Sequence, residues 1–355
     1  MERRFLGSSD GGNWKRWLRD DCDLLFTLNC SQIKNGSLIH PIRLLAENRP
    51  VPQTQQMKVI ALATSFVLAF LCLPQVHAEL KDARPLHILS HNVWYGFTKN
   101  PERKAQWMTW VSEQKPDILA LQELNGYTHD KLQQDAKSWG HQHCALLKEE
   151  GFPTGLTSRF PITDIERIKD GFHHGLLRCK TAGFVVYVIH FHPSNWEFRI
   201  REAKLLLADV AKLTPAEQQR VILIGDFNGF SPKEKRHLEK GGELVEFFKK
   251  LDARDQSNNL NEGKLDYAGI QAFHDAGYID LIHQRLEAKA PYPGTFPTKA
   301  RPDEDMGRLR RLDYIFVTPS LARTVTSAKV IHGEASTRLS DHYPLRIELA
   351  PANTK

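Results

Sequence analysis

The chain has 355 residues, 41% hydrophobic and 25% charged, an ordinary globular composition that excludes a low-complexity or repeat protein. Its formal charge is +6, but residues 1–78 hold 9 Lys/Arg against 6 Asp/Glu, leaving 39 basic and 36 acidic side chains from 79 onward. A body so close to neutral excludes tight nonspecific polyanion binding through net charge and leaves only a local patch for such contact.

Residues 1–56 are polar, mixed in charge and weakly periodic. Met57-Lys58 then opens a run from Val59 to Leu73 that is apolar apart from Thr64 and Ser65, closed by Pro74 and an A-x-A-like Val76-His77-Ala78. A basic start, a short apolar core and a small-residue end are the pattern of a secretory signal. The run is shorter than the roughly 20 residues of a membrane span. Two accounts stand. Either translation starts at Met57 and cleavage leaves a mature domain 79–355, secreted or periplasmic, or 57–78 is a signal anchor with 1–56 as its cytoplasmic tail. Of the five cysteines, only Cys144 and Cys179 follow this segment. Export would permit a disulfide between them, but both sit in strand-like segments and two buried free thiols are the plainer expectation.

From Pro85 strands and helices interleave. Leu86–Trp94 alternates as a strand does. Pro101–Gln114 reads as an amphipathic helix with Trp107, Trp110 and Val111 inward. Ile118–Leu121 is a short buried strand, and a second helix covers about 129–139. Strands follow near Cys144–Leu147, Gly155–Ser158, Leu176–Lys180 and Phe184–His190. A helix over about 197–213 carries Leu205-Leu206-Leu207 on its buried face. Val221–Ile224 is a strand buried on both faces, broken by Gly225. A charged helical region reaches about 251, and another helix lies near 266–276 before Ile279-Asp280-Leu281. Arg301–Arg311 is an arginine-rich polar loop. The last strands are Leu312–Val317, Lys329–Ile331 and Tyr343–Leu349. No linker interrupts 85–350, so the pattern predicts one α/β domain of two packed sheets with outer helices.

Polar clusters recur at the ends of the buried strands: Asn92, Gln122-Glu123, His190, Asp226 with Asn228, and Ser340-Asp341-His342. Asp226 and Asn228 are two apart, so on extended backbone they share a side, with Phe227 turned into the core. Converging carboxylates and carboxamides form an oxygen-rich pocket that suits Mg²⁺ or Mn²⁺ rather than zinc. Asp313 is a carboxylate able to orient His342. Arg308, Arg310 and Arg311 are candidate phosphate contacts, Arg311 foremost, with a solvated loop as the plain alternative. His91 and His192 are expected to be structural, and His173-His174 to be loop residues where a strand begins.

Ser90-His91-Asn92-Val93, Leu121-Gln122-Glu123, His190, Gly225-Asp226-Phe227-Asn228, Leu312-Asp313-Tyr314-Ile315 and Ser340–Leu345 stand in an order that resembles the endonuclease/exonuclease/phosphatase superfamily, which includes deoxyribonuclease I. The resemblance spans 85–350. It implies a four-layer α/β sandwich: two packed mixed β-sheets flanked by helices. It implies Glu123 as main Mg²⁺ (or Mn²⁺) ligand, with Asn92 and Asp341 beside it. It implies Asp226 orienting or deprotonating the attacking water, and Asn228 donating to a phosphoryl oxygen. His342 paired with Asp313 then acts as base or transition-state stabiliser, and His190 faces the phosphate or leaving group. The expected activity is hydrolysis of phosphate esters, a phosphodiesterase or nuclease first. A sphingomyelinase-like or inositol-phosphatase-like hydrolase is the alternative, and a non-catalytic binding module on the same fold the reading from another class. The partner is then a phosphate-ester substrate, nucleic acid or a phospholipid or inositol phosphate head group. The protein itself is expected to be a monomer.

Overall fold

The computed structural model describes residues 84–351 except 288, 289 and 303; the segments 1–56 and 57–78, with Cys22, Cys30 and Cys72, lie outside them. Fourteen strands are described. They are β1 (Leu86–Asn92), β2 (Ile118–Gln122), β3 (His143–Leu146), β4 (Gly155–Ser158), β5 (Ile162–Ile168), β6 (Leu176–Thr181) and β7 (Phe184–His190), then β8 (Val221–Asp226), β9 (Leu260–Asn261), β10 (Lys264–Leu265), β11 (Ile279–Asp280), β12 (Asp313–Val317), β13 (Val325–Val330) and β14 (Leu345–Leu349). Two six-stranded sheets result, ordered β13-β14-β1-β2-β4-β3 and β11-β12-β8-β7-β6-β5, with β9 and β10 as a separate ribbon. Both are mixed, because β1–β2 and β7–β8 are parallel and their other pairings antiparallel.

The sequence dictates this layering through strands that are apolar on both faces. In β8, Ile222 and Ile224 enter the core between the sheets, where they meet Ile88, Ile118 and Ile347 of the other sheet. Val221 and Leu223 face the opposite way, toward Ala203, Leu206, Ile270 and Phe273. Those come from helices Trp196–Val210 and Ala268–Asp275. On the far side, Trp107, Trp110 and Val111 of helix Pro101–Gln114 and Leu132 and Ala136 of helix His129–Ser138 cover Leu89, Leu119 and Leu121. The order is helix, sheet, sheet, helix, the predicted four-layer sandwich.

Three details depart from the sequence reading. Gly225 does not break β8: it stays in register with Ile189 and Tyr314, and the strand runs on to Asp226. At φ +136° only glycine fits, since a Cβ there would lie 2.2 Å from the Ile189 carbonyl. The buried stripe of helix Trp196–Val210 is Arg199, Glu202, Ala203, Leu206, Asp209 and Val210, so Leu205 faces solvent. The edge strand β5 was missed because its polar Asp164, Glu166 and Arg167 surround a register shift that disrupts the alternation. Cys144 and Cys179 are buried free thiols in different core layers, with no disulfide between them.

Candidate active site

Strand register assembles the centre of the site. β7 places His190 beside Asp226 at the end of β8, and β12 places Asp313 opposite the same residue. In the other sheet β1 pairs Asn92 with Gln122, so Glu123 emerges just beyond. Asn92 then links the sheets: its Nδ2 donates to Asp226 Oδ2 and to Glu123 Oε1, each at 3.1 Å. Backbone in the left-handed region turns the chain at Trp94, Glu123 and Asn228, with φ of 52°, 58° and 47°. Such conformations in non-glycine residues concentrate at functional sites. They aim side chains that regular strands would carry away.

Each ionisable group is fixed. His342 Nδ1 lies 2.8 Å from Asp313 Oδ2, and its Nε2 lies 3.8 Å from Asp226 Oδ2. His190 Nε2 stands 3.8 Å from the same oxygen and 3.9 Å from Glu123 Oε1. Asp226 Oδ1 accepts from the Asn228 amide N–H at 2.9 Å. Burial lifts the Asp226 carboxyl above the usual carboxylate range, and the Asp313 charge adds to it. Burial opposes a charge on His342, but Asp313 and then Asp226 outweigh it and raise its pKa to about 10. His190 goes the other way: burial, with the His342 charge behind it, pushes it down to about 3. The site therefore holds one charged and one neutral imidazole around one carboxylate.

His91 is structural, as expected. Trp107 Nε1 donates to its Nδ1 at 2.8 Å, which leaves Nε2–H to donate to the His342 carbonyl at 2.9 Å. His174 stacks on His190 with ring centroids 4.1 Å apart.

The expected metal set needs one correction. Asn92 turns its amide nitrogen, not its oxygen, toward the two carboxylates, and its Oδ1 accepts from Trp94 N at 3.0 Å. In this arrangement it orders acceptors and supplies no ligand oxygen. Glu123 and Asp341 remain as hard donors. Burial raises the Asp341 carboxyl, and the nearby Glu123 charge adds to that. Such a like-charged pair at one cavity is what a divalent cation relieves, so the donor set fits Mg²⁺ or Mn²⁺. Asp226, Asp313 and His342 also bring ligand atoms within 4.8 Å of one another. The Asp313–His342 hydrogen bond accounts for that closeness without an ion.

Arg311 is the second correction. It is wholly buried, bound to Asp280 at 2.8 and 2.5 Å and to Glu234, and its guanidinium lies over the Tyr314 ring. It fastens β12 to β11 and does not reach the cavity. Of the other loop arginines, Arg308 bonds to the Lys240 carbonyl, while Arg310 lines the cavity.

The cavity holds about 320 Å³. Beyond the residues above it is lined by Trp94, Phe230, Phe248, Phe296, Arg199 and Arg301. Arg301 bonds to Asp341 Oδ2 at 3.2 Å, and its guanidinium and that of Arg103 lie 5.0 and 4.4 Å from the Trp94 ring centroid. Sequence reasoning passed over Arg199 and Arg301. Arg199 carried a signal: with Glu202 and Asp209 it puts ionisable groups on the core face of an amphipathic helix. Arg301 carried none, being one charge among several in a polar loop.

The model of the Endonuclease/Exonuclease/phosphatase family matches residues 89–342. No curated protein matches the chain significantly in sequence. Among solved structures it is similar to an AP endonuclease from Archaeoglobus fulgidus, with TM-score 0.52 and 19% identity over 74% of this chain and 99% of that one. It is also similar to the 3′ phosphatase NExo from Neisseria bound to a product DNA hairpin, with TM-score 0.53 and the same identity and coverage. At that identity the likeness establishes the fold, the deoxyribonuclease I-like sandwich. The strand-end motifs and the matched residues together place the chain in the endonuclease/exonuclease/phosphatase family, as a hydrolase acting on phosphate esters.

Proposed function

We propose that this protein is an exported, divalent-metal-dependent phosphodiesterase that cuts ordinary phosphodiesters without requiring an abasic site. The convergence of Asn92, His190 and His342 on a single oxygen, Asp226 Oδ2, carries the reading. Hydrolysis of a phosphate ester needs a positioned water, charge on the nonbridging oxygens and help for the leaving group. Asp226, buried and held by two donors, orients and deprotonates the water. Charged His342, steadied by Asp313, faces the anionic transition state. Glu123 and Asp341 would hold a divalent cation, which when bound would supply Lewis-acid neutralisation of the phosphoryl oxygens. Asn228 Nδ2 donates one N–H to the Phe191 carbonyl at 3.0 Å and keeps a second N–H for the substrate.

His190 bears on the branch. The abasic-site repair nucleases of the family usually carry Tyr where this chain has His190, whose imidazole, kept neutral by burial, presents a ring nitrogen 3.8 Å from Asp226 in place of a phenol hydroxyl. The signal-like segment 57–78 supports export, and an exported enzyme has no chromosome to repair. The test is a panel of plasmid DNA, an abasic duplex, RNA, sphingomyelin and an inositol polyphosphate, run with Mg²⁺. Turnover of intact nucleic acid or of a lipid head group is expected. Cleavage confined to the abasic duplex overturns the proposal.

A further inference from the structure

We propose that Arg310 is the anion contact of a second-phosphate subsite, so that the preferred substrate carries a further phosphate beside the ester that is cut. The inference rests on the phosphate-ester reading of the same cavity.

Arg310 is 5% exposed and lines the cavity beside Phe230, Phe248, Phe296 and Leu312. Its guanidinium lies 4.7 Å from the Phe296 ring centroid and 5.4 Å from those of Phe247 and Phe248. Nη1 donates to the carbonyls of Met306 and Arg308 at 2.8 and 3.0 Å. Nε is buried with no partner. Among the described residues two carboxylates, those of Asp280 and Glu234, pair directly with the adjacent buried Arg311 and none with Arg310.

A buried cation without a counter-ion is unfavourable, and ring faces and two carbonyls offset only part of that. Arg310 lines the cavity, so an anionic group of the substrate can supply the partner that the surrounding residues do not. Guanidinium is suited to a phosphate, which it grips through two parallel N–H donors. An acyl chain against this wall leaves the guanidinium unpaired, and a cationic head group is repelled by it. A second phosphate satisfies it. The neighbouring diester of a polynucleotide and a further ring phosphate of an inositol phosphate offer the same chemistry.

Thymidine 5′-(p-nitrophenyl phosphate) with and without a 3′-phosphate isolates the extra group. A phosphodiester of inositol with and without one further ring phosphate forms the second arm. Wild-type protein is expected to show at least tenfold higher kcat/KM for the two-phosphate member in one arm, which also identifies the source. Arg310→Met should collapse that ratio through KM, and Arg310→Lys should restore part of it. No preference in either arm of the wild type overturns the subsite, and so does a ratio unchanged in a folded Arg310→Met protein. If Arg310→Met does not fold, Arg310→Gln, which keeps polar hydrogen bonding without the charge, decides in its place, an unchanged ratio again counting against the subsite. Failure to hydrolyse any of the four compounds refutes the phosphate-ester reading itself and is distinct from both.

Discussion

Asp226 and Asp313 stand opposite each other, in register, on the antiparallel strands β8 and β12. Two buried carboxylates in that relation repel, and His342 lies against both, 2.8 Å from Asp313 and 3.8 Å from Asp226. The imidazolium is the counter-charge that lets both acids occupy neighbouring positions. Burial alone would strip its proton; the two carboxylates, Asp313 first, hold its pKa at about 10.

Loss of His342 should therefore remove more than a proton carrier. His342→Ala and Asp226→Asn are each expected to lower kcat on the order of 10²-fold or more, the size of lost acid–base help, in proteins that remain folded. Steady-state turnover on any substrate the wild type accepts checks this, and near-normal rates refute the assignment. The pH dependence has a definite sign. A histidine raised to about 10 is charged through neutrality and loses its proton as pH climbs toward that value. In Asp313→Asn the main support for the charge is gone, so the alkaline fall in kcat should move to lower pH.

The oxygen donors Glu123 and Asp341 predict a metal requirement. Chelation by EDTA should abolish activity, and Mg²⁺ or Mn²⁺ should restore it. Glu123→Gln removes half of the remaining hard donor pair and should raise the Mg²⁺ concentration for half-maximal rate at least tenfold. Full activity in EDTA would falsify the assignment of Glu123 and Asp341.

The four layers were legible because β7 and β8 are apolar on both faces, which only a strand between two packed layers can be. His190 and Asp226 end such strands and Glu123 follows one, whereas Asp313 begins β12 and His342 precedes β14, so those two stood out by their motifs and not by a strand end. Arg311 was misread because sequence proximity to Asp313 does not say which way a side chain turns. Its partner Asp280 lies 31 positions away, and only the β11–β12 pairing brings the two together. The direction of the Asn92 amide was equally hidden, since it depends on hydrogen bonds to two residues from different sheets.

Processing is tested independently of chemistry. Residues 57–78 have the basic start, apolar core and small-residue end of a signal peptide. Edman or mass-spectrometric sequencing of exported protein should find Glu79 at the N-terminus. Material that stays in the membrane with residues 1–56 attached contradicts cleavage and favours the anchor.

His141 gives a stability signature away from the site. Its Nδ1 lies 2.7 Å from Thr157 Oγ1 and its Nε2 2.8 Å from the Pro116 carbonyl, and burial pushes its pKa down to about 4. Below the ordinary value of 6.5 the unfolded chain takes up a proton that the folded chain refuses. Its contribution is thus complete above pH 6.5 and is lost as pH falls toward 4, by about 1.4 kcal/mol per pH unit. Thermal melts should show Tm dropping across that window, with a shallower slope in His141→Gln even though that variant starts lower.

Arg311 offers the sharpest separation of a structural role from a substrate contact. Its guanidinium joins Asp280 and Glu234 where neither carboxylate has appreciable access to water. Removing the cation from such a group strands the acids, and breaking a buried pair costs about 3–5 kcal/mol. Arg311→Met should lose that much in urea unfolding, and Arg311→Met with Asp280→Asn should lose less than the single variant, because one stranded charge is gone. KM of whatever folded enzyme remains should be close to that of the wild type, since the side chain does not line the cavity. A substrate contact predicts the reverse: unchanged unfolding and a raised KM. That outcome would return Arg311 to the binding surface.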